Sequence, residues 1–282
     1  MARTSHGSVH LSVVAIFVYA FGLALLLALA PESRAQTWNS AGMTYEQFDS
    51  LPPGGPAPSR DISGIWDGGR AGVGAAFQEA YRASARTPFT PLGEEMARKN
   101  KAGNGPRKAP VAEINDPSTT MGDPAGFPRV VTNQLHAVQI VQTADQVLML
   151  YMFEKRYRVI WTDGRSLPKD PDPRWYGYSV GQWEDDYTFV VETIGTDDRT
   201  WVDHDGDPHS NALRVIERYK RVNQNTLELT VTIDDPTIYT KPWLVRDKMP
   251  MRLLPAGTDL MEDIPSATEA QAYQKVISSQ TK

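Results

Sequence analysis

The chain has 282 residues, a formal net charge of −5 at pH 7 and no cysteine. Basic and acidic residues are interspersed along it, which argues against nucleic acid as a partner, because nucleic-acid-binding proteins favour a clustered basic face. Without cysteine there are no disulfides, so a hydrophobic core of ordinary size must hold the fold.

The first 35 residues have the layout of a secretory signal peptide. Arg3 and His6 give a weakly positive start, residues 11–30 are almost wholly apolar, and Ser33 and Ala35 supply the small residues of a cleavage site. An uncleaved anchor is the alternative, since about twenty apolar residues could span a bilayer, and membrane contact would then come only through this segment. The lack of cysteine excludes a lipoprotein anchor. We therefore expect a periplasmic or secreted protein.

Residues 36–60 are polar and rich in proline and glycine, which predicts an extended leader before a single β-domain at 61–265. This domain opens on Gly64-Ile65-Trp66. A Gly-x-Trp element resembles the start of lipocalin-like barrels, in which the tryptophan closes one end and the glycine lets the chain turn closely beneath it. An ordinary first strand with a buried tryptophan is the alternative.

A helical and loop insertion at 75–128 separates this first strand from the main sheet. Two candidate short helices lie in residues 77–104, split by Thr87-Pro88 and Thr90-Pro91. Thr90 is expected to cap the second helix, with Pro91 at its first position and acidic residues in its first turn. Prolines and glycines at short intervals predict a loop over residues 105–128.

From Val130 onward apolar residues recur at alternate positions, the period of half-buried strands. Turn residues separate the strands, and one connection, at 167–173, is rich in proline. About eight strands in consecutive antiparallel hairpins suit a meander that closes on itself. We predict a mainly β protein with a lipocalin-like barrel, or else a β-sandwich, followed by a tail at 266–282 with a short helical rhythm.

The loop at 196–210 is longer and more polar than a hairpin requires, and functional groups favour such loops. Its Asp203, Asp205 and Asp207 with Gly206 do not match an EF-hand, which needs glycine at position six and glutamate at position twelve. An exposed turn is the structural alternative. A transition-metal site stays open, although no pair of histidines has zinc-protease spacing. The histidines beyond the signal segment are His136, His204 and His209.

Glu217 lies on the apolar face of its predicted strand. A buried glutamate is costly unless it is paired or protonated. One alternative is a salt bridge to Arg158 or Arg156 of a neighbouring strand. The other is a carboxyl group that lines a cavity and works as an acid or base. In that case His209 would be its counterpart at the cavity mouth, and Arg214 would stabilise an anion.

Further aromatic, basic and acidic residues are candidates for contacts with a ligand. The sequence carries neither a phosphate-binding glycine loop nor a dinucleotide fingerprint, so it identifies no cofactor. It also indicates no set of metal ligands. The candidate ligand-binding residues are Trp201, Asp203, Arg218, Tyr239, Trp243 and Tyr178.

Five segments resemble a family of secreted bacterial proteins of unknown function. They are YRVIWTDGR (157–165), WYGYSVGQWE (175–184), VVET (190–193), HSNALRVIERY (209–219) and TIDDPTIYTKPW (232–243). The resemblance covers roughly residues 61–254. It departs from the family pattern near Met121-Gly122, where such proteins often carry a cysteine, so thiol chemistry at that place is excluded here. The resemblance implies the β architecture and an extracytoplasmic address, but no activity.

These features predict an extracytoplasmic β-barrel protein that binds a small, partly apolar molecule. An enzyme is the first alternative: a lyase, isomerase or hydrolase that acts on such a molecule through His209 and Glu217. A structural or partner-binding envelope protein, with an interior filled by side chains, is the second.

Overall fold

The computed structural model describes residues 52, 54–68, 87–132, 137–255, 257–260, 262, 264 and 266–280, so the expected signal peptide and most of the leader lie outside the described residues. Nine strands form one closed barrel, in which β1 pairs with β9. The predicted mainly β barrel is confirmed, with nine strands instead of about eight. The strands are β1 Gly64–Asp67, β2 Val138–Gln142, β3 Gln146–Tyr151, β4 Tyr157–Trp161, β5 Tyr178–Trp183, β6 Thr188–Ile194, β7 Arg214–Asn223, β8 Thr226–Asp234 and β9 Trp243–Leu253.

Alternation of apolar and polar residues places the core inside the barrel. β8 shows this most clearly, because Leu227, Leu229, Val231 and Ile233 are fully buried while the residues between them are half-exposed. Successive side chains of a strand point to opposite faces of the sheet. Burying each such side chain stabilises the fold by about 1.5–3 kcal/mol.

One pairing departs from the predicted meander of antiparallel hairpins. β4 and β5 run parallel, with Ile160 opposite Ser179 and Trp161 opposite Val180. Parallel neighbours need a crossover of a dozen residues or more, and residues 162–177 provide it by returning the chain along the barrel to the end where β4 began. The prediction of consecutive hairpins was therefore wrong here, and the Pro-rich connection is the physical reason, since proline cannot donate to a sheet ladder.

The two ends of the barrel differ in construction. Short turns after β2, β5 and β7 gather at one end, together with the start of β1. There Arg221 lies 4.5 Å above the Trp66 ring and donates to the carbonyl oxygen of Asp61, which ties the end of β7 to the segment before β1. Longer segments gather at the other end, which we call the loop end: residues 87–132, 195–213 and 235–242.

Within the described ranges, four helices and one 3-10 helix accompany the barrel. They are α1 Pro91–Lys99, the 3-10 helix Val111–Glu113, α2 Pro117–Thr120, α3 Arg129–Thr132 and α4 Ala267–Gln280. Thr90 caps α1 as expected, since its hydroxyl accepts from the Gly93 N–H at 3.1 Å. The first of the two expected helices falls largely on residues outside the described ranges. The β pattern expected from Val130 was wrong for its first residues, which form α3.

Among the residues that the structure describes, no helix is long and apolar enough to cross a membrane.

Candidate functional site

A buried polar network crosses the interior of the barrel. Arg158 of β4 forms a bidentate salt bridge with Glu217 of β7, with Nη1 at 3.0 Å from Oε1 and Nη2 at 2.5 Å from Oε2. Arg158 also donates to the hydroxyls of Ser179 at 3.0 Å and Thr193 at 2.6 Å, and its guanidinium stacks 4.1 Å from the Phe127 ring. The sequence left open whether Arg158 or Arg156 pairs with Glu217. The structure confirms this salt bridge for Arg158.

The network shifts the pKa of its arginine and of its two tyrosines. Burial acts to lower the pKa of Arg158, but the charge of Glu217, its hydrogen bonds and the neighbouring Tyr151 and Tyr219 together outweigh it, so the pKa of Arg158 stands above its usual value. Tyr219 donates to Glu217 at 2.7 Å, and burial together with the glutamate charge raises the pKa of Tyr219 well above normal. Burial likewise raises the pKa of Tyr151 to about 12. A fully paired Glu217 serves chiefly to bridge strands β4 and β7.

Asp203 lies in the loop between β6 and β7, buried at the loop end of the barrel. Its Oδ1 accepts the backbone N–H groups of Asp205 at 2.9 Å and Asp207 at 3.2 Å, which closes a tight Asp-based turn. Burial, followed by the charges of Asp207 and Asp205, raises the pKa of Asp203 to about 7. Asp203, one of the three aspartates that the sequence presented as a possible cation loop, therefore binds the backbone of its own loop.

Asp207 anchors this turn to the insertion. It pairs with Arg107 and accepts from the Thr87 hydroxyl at 2.8 Å. Burial raises the pKa of Asp207 in spite of the charge of Arg107. Among the described residues no group of three or more histidines, aspartates and glutamates is placed to hold a metal ion. His136, one of the candidate metal ligands, lies outside the described ranges.

His209 is fully buried between the loop and β7. Its Nδ1 lies 3.1 Å from the carbonyl oxygen of Ser210 and its Nε2 lies 2.7 Å from the Thr200 hydroxyl. Because a carbonyl oxygen only accepts, Nδ1 carries the proton and Nε2 accepts from Thr200. Burial lowers the pKa of His209, so the ring is neutral at pH 7.

The three candidate catalytic residues do not form one constellation. Glu217 points into the barrel, whereas Arg214 lies on the outer face of the same strand and pairs with Glu192 at 2.7 Å. The hydrogen bonds described for His209 and Glu217 go to separate partners. Acid-base catalysis by these residues stays a prediction.

The candidate ligand-binding residues fall into three places. Arg218 is on the outer face of β7 and pairs with Glu184 at 2.8 Å. Tyr239 and Trp243 pack edge to face with ring centroids 5.3 Å apart and are buried at the loop end, where Trp201 also lies buried. Tyr178 alone of the six candidates lines a described cavity.

That cavity, which we call the slot, has a volume of about 670 Å³ and lies against β4 and β5. Its floor is the outer face of the two parallel strands, where Tyr157, Val159 and Trp161 alternate with buried residues. The crossover forms its walls. Its lining residues from the crossover are Arg165, Ser166, Leu167, Pro168, Arg174, Trp175, Tyr176 and Gly177. A volume of this size suits one small molecule.

Three guanidinium groups stack on aromatic rings in and around the slot. Arg165 lies 3.4 Å from the Trp161 ring and Arg174 lies 4.0 Å from the Tyr178 ring. The third, Arg199, lies 4.4 Å from the ring of Trp175, and both Arg165 and Arg199 pair with an aspartate two residues earlier in the chain. Arg174 has no carboxylate partner within the described part of the chain. Its positive charge beside the Tyr178 ring is therefore not balanced by a described carboxylate.

Sequence reasoning found Tyr178 but missed the other slot residues, above all Trp161, Trp175 and Arg174. The signal was available in principle, because a Pro-rich connection flanked by Trp and Arg on both sides is unusual in composition. It was assigned to a simple link between hairpins, and only the parallel pairing of β4 and β5 brings its two flanks together. Comparison with protein-family models and with curated proteins finds no match to this chain.

Proposed function

We propose that this β-barrel protein binds a small, planar, partly apolar molecule that carries a negative charge, and that the slot is its binding site. The observation that supports this most strongly is an open cavity lined by aromatic rings and by an unpaired Arg174. Ligand sites typically combine a largely apolar lining with a few polar groups that orient the ligand. The expected address in the periplasm or outside the cell belongs to the same proposal.

The proposed site lies on the outer wall of the barrel and not in a cavity inside it. The described interior is packed with large side chains, including Phe189, Met149 and Leu229, and is bridged by the salt bridge of Arg158 and Glu217. The slot instead uses the barrel as a rigid wall. A flat ring would stack on the exposed aromatic surface, and its anionic group would meet the Arg174 guanidinium, which binds carboxylates in a fixed planar geometry.

Binding of 2-naphthoate, a planar aromatic anion, to the chain from residue 36 onward tests the proposal by calorimetry, with the uncharged 2-naphthamide as a paired ligand. Arg174→Gln is expected to weaken 2-naphthoate roughly fivefold, since an exposed ion pair contributes about 1 kcal/mol. The same change should leave 2-naphthamide unaffected. Tyr178→Ala should weaken both ligands, because it removes the stacking surface and the support for Arg174.

Arg218→Gln is the matched control, because Arg218 is also an exposed arginine but lies on β7 and pairs with Glu184. It should bind both ligands like the parent protein. Absence of saturable binding to the parent, or equal weakening by Arg174→Gln and Arg218→Gln, would refute the slot as the site. Native mass spectrometry of the protein purified from cells would then show whether another organic molecule accompanies it.

A further inference from the structure

A second cavity, of about 520 Å³, lies at the loop end of the barrel, beside α4. Its walls come from the β3–β4 turn, the insertion and α4, so segments distant in sequence enclose it. Its charged lining residues are Asp116, Arg129, Glu154 and Glu269, and the imidazole of His204 also lines it. This cavity has no part in the proposed function above, and its inference does not rest on ligand binding in the slot, although Tyr176, which lines the slot, donates its hydroxyl to Glu154 of this cavity.

Glu154 is the exceptional member of the lining. It is only 4% exposed. Its carboxylate accepts the backbone N–H of Ala125 at 2.6 Å and the Tyr176 hydroxyl at 2.9 Å, both from neutral donors. Within the part of the chain that the structure describes, no lysine, arginine or histidine pairs with it. Buried charges in proteins are normally paired, because an uncompensated charge in a low-dielectric site is costly.

The other charged groups of the lining do not supply the missing cation. Arg129 makes a bidentate salt bridge with Asp116, at 2.8 Å from Oδ1 and 2.6 Å from Oδ2, which neutralises both groups. Although burial acts to raise it, hydrogen bonding to Arg129 holds the pKa of Asp116 below its usual value, so this pair is ionised. Glu269, on exposed α4, adds a second negative charge at the rim.

His204 also contributes no positive charge in this arrangement. Its Nδ1 lies 2.8 Å from Nη2 of Arg129, and a guanidinium group can only donate, so Nδ1 accepts and carries no proton. The negative charges of Glu154 and Glu269 are therefore not balanced by positive charges on the other lining residues. This balance of charges among the lining residues favours a positively charged ligand over an anion.

Two further features indicate which other chemical groups that ligand carries. Phe153 and Tyr273 line the cavity, and aromatic faces attract organic cations. Arg129 is buried, and its Nε–H has no hydrogen-bond acceptor among the described residues. A buried donor without an acceptor is unfavourable, so a ligand that brings an oxygen acceptor to this Nε–H would remove the penalty.

We propose that this cavity binds a small organic ammonium ion that also carries a hydrogen-bond acceptor. The ammonium group pairs with Glu154, the apolar part packs against Phe153 and Tyr273, and the oxygen accepts from Arg129. The slot and this cavity therefore select ligands of opposite charge.

The probe is 2-amino-1-phenylethanol, compared with the neutral 1-phenylethane-1,2-diol, in which a hydroxyl replaces the ammonium group. Calorimetry on the chain from residue 36 onward should show the amine binding at least tenfold more tightly than the diol. Glu154→Gln keeps an oxygen that accepts from the Ala125 N–H, lets its amide nitrogen donate to the Tyr176 hydroxyl oxygen, and removes the charge. It should weaken the amine at least tenfold without changing the diol. Glu269→Gln, at an exposed position that tolerates substitution, should weaken the amine by a smaller factor, about twofold.

Glu184→Gln, at an exposed glutamate in the β5–β6 turn at the opposite end of the barrel, is the control and should bind the amine like the parent. Retained 2-naphthoate binding by Glu154→Gln would show that the variant is folded, and circular dichroism gives the same check if the slot proposal fails. Equal affinity for the amine and the diol, no binding of either, or an unchanged amine affinity in both Glu154→Gln and Glu269→Gln would overturn the inference.

Discussion

Replacement of Arg158 by methionine tests whether the interior network is a structural bridge. Methionine retains an unbranched apolar side chain of similar length but removes the guanidinium. Both partners of the salt bridge are buried, with side-chain exposures of 1% for Arg158 and 0% for Glu217. The substitution leaves the carboxylate with the Tyr219 hydroxyl as its one described donor. The Ser179 and Thr193 hydroxyls remain hydrogen-bonded to each other at 2.9 Å.

Removing one member of a buried ion pair costs about 3–5 kcal/mol, because the other charge is left uncompensated. We expect Arg158→Met to lower the free energy of unfolding by that amount. The double change Arg158→Met with Glu217→Leu should recover most of the loss, since an apolar replacement of a whole buried pair is often neutral. A non-additive result of this kind is what a double-mutant cycle measures.

Urea unfolding followed by circular dichroism gives the free energies, with an unchanged denaturant slope as evidence for the same native state. Arg214→Met is the matched control on the neighbouring outer face, where the pair with Glu192 is half-exposed. Exposed pairs contribute about 0–1 kcal/mol, so this control should lose little. A loss below about 1 kcal/mol for Arg158→Met, or a double variant no more stable than the single one, would contradict the reasoning.

Three further predictions concern the loop end and the insertion. The pKa of Asp203 is raised from 3.8 to about 7 in the folded state. The folded state therefore binds the extra proton, and stability should fall as pH rises from about 4 to about 7. Asp203→Asn should flatten the pH dependence of the free energy of unfolding in urea over this range, and an unchanged pH profile would contradict this cause. Thr90→Ala removes the cap of α1 and should cost about 1 kcal/mol in thermal or urea unfolding, while a neutral result would show that the cap is dispensable. Gly93→Ala would place a Cβ 2.2 Å from the Ile238 carbonyl oxygen. It should cost about 1–3 kcal/mol of stability, measured in the same way. Wild-type stability would mean that α1 can shift away from Ile238.

Much of the barrel follows from local pattern. Alternation of apolar residues predicted β3, β7 and β8, because a strand with one buried face needs every second side chain to be apolar. The cap at Thr90 was predictable for a similar reason, since a hydroxyl followed by proline and two glutamates satisfies the first turn of a helix without help from distant residues. Loop-rich composition also indicated where the chain at 196–210 departs from a simple hairpin.

Local sequence pattern predicted the candidate sites much less well. Glu217 was identified as a buried carboxylate, but two neighbouring arginines of the same strand region could have been its partner, and only the register of the barrel selects Arg158. The slot was missed because it requires β4 and β5 to lie side by side in parallel. The second cavity was missed because Glu154 follows a strand in an ordinary-looking turn, and no local pattern relates it to α4.

The sequence by itself determined the class of fold, the positions of most strands and the absence of disulfides, because these depend on side-chain period and on composition. The tertiary structure decided the parallel pair, the partners of the buried charges and the two cavities. Those features arise from contacts between residues far apart in the chain, and their free energies depend on burial and geometry that no short stretch of sequence contains.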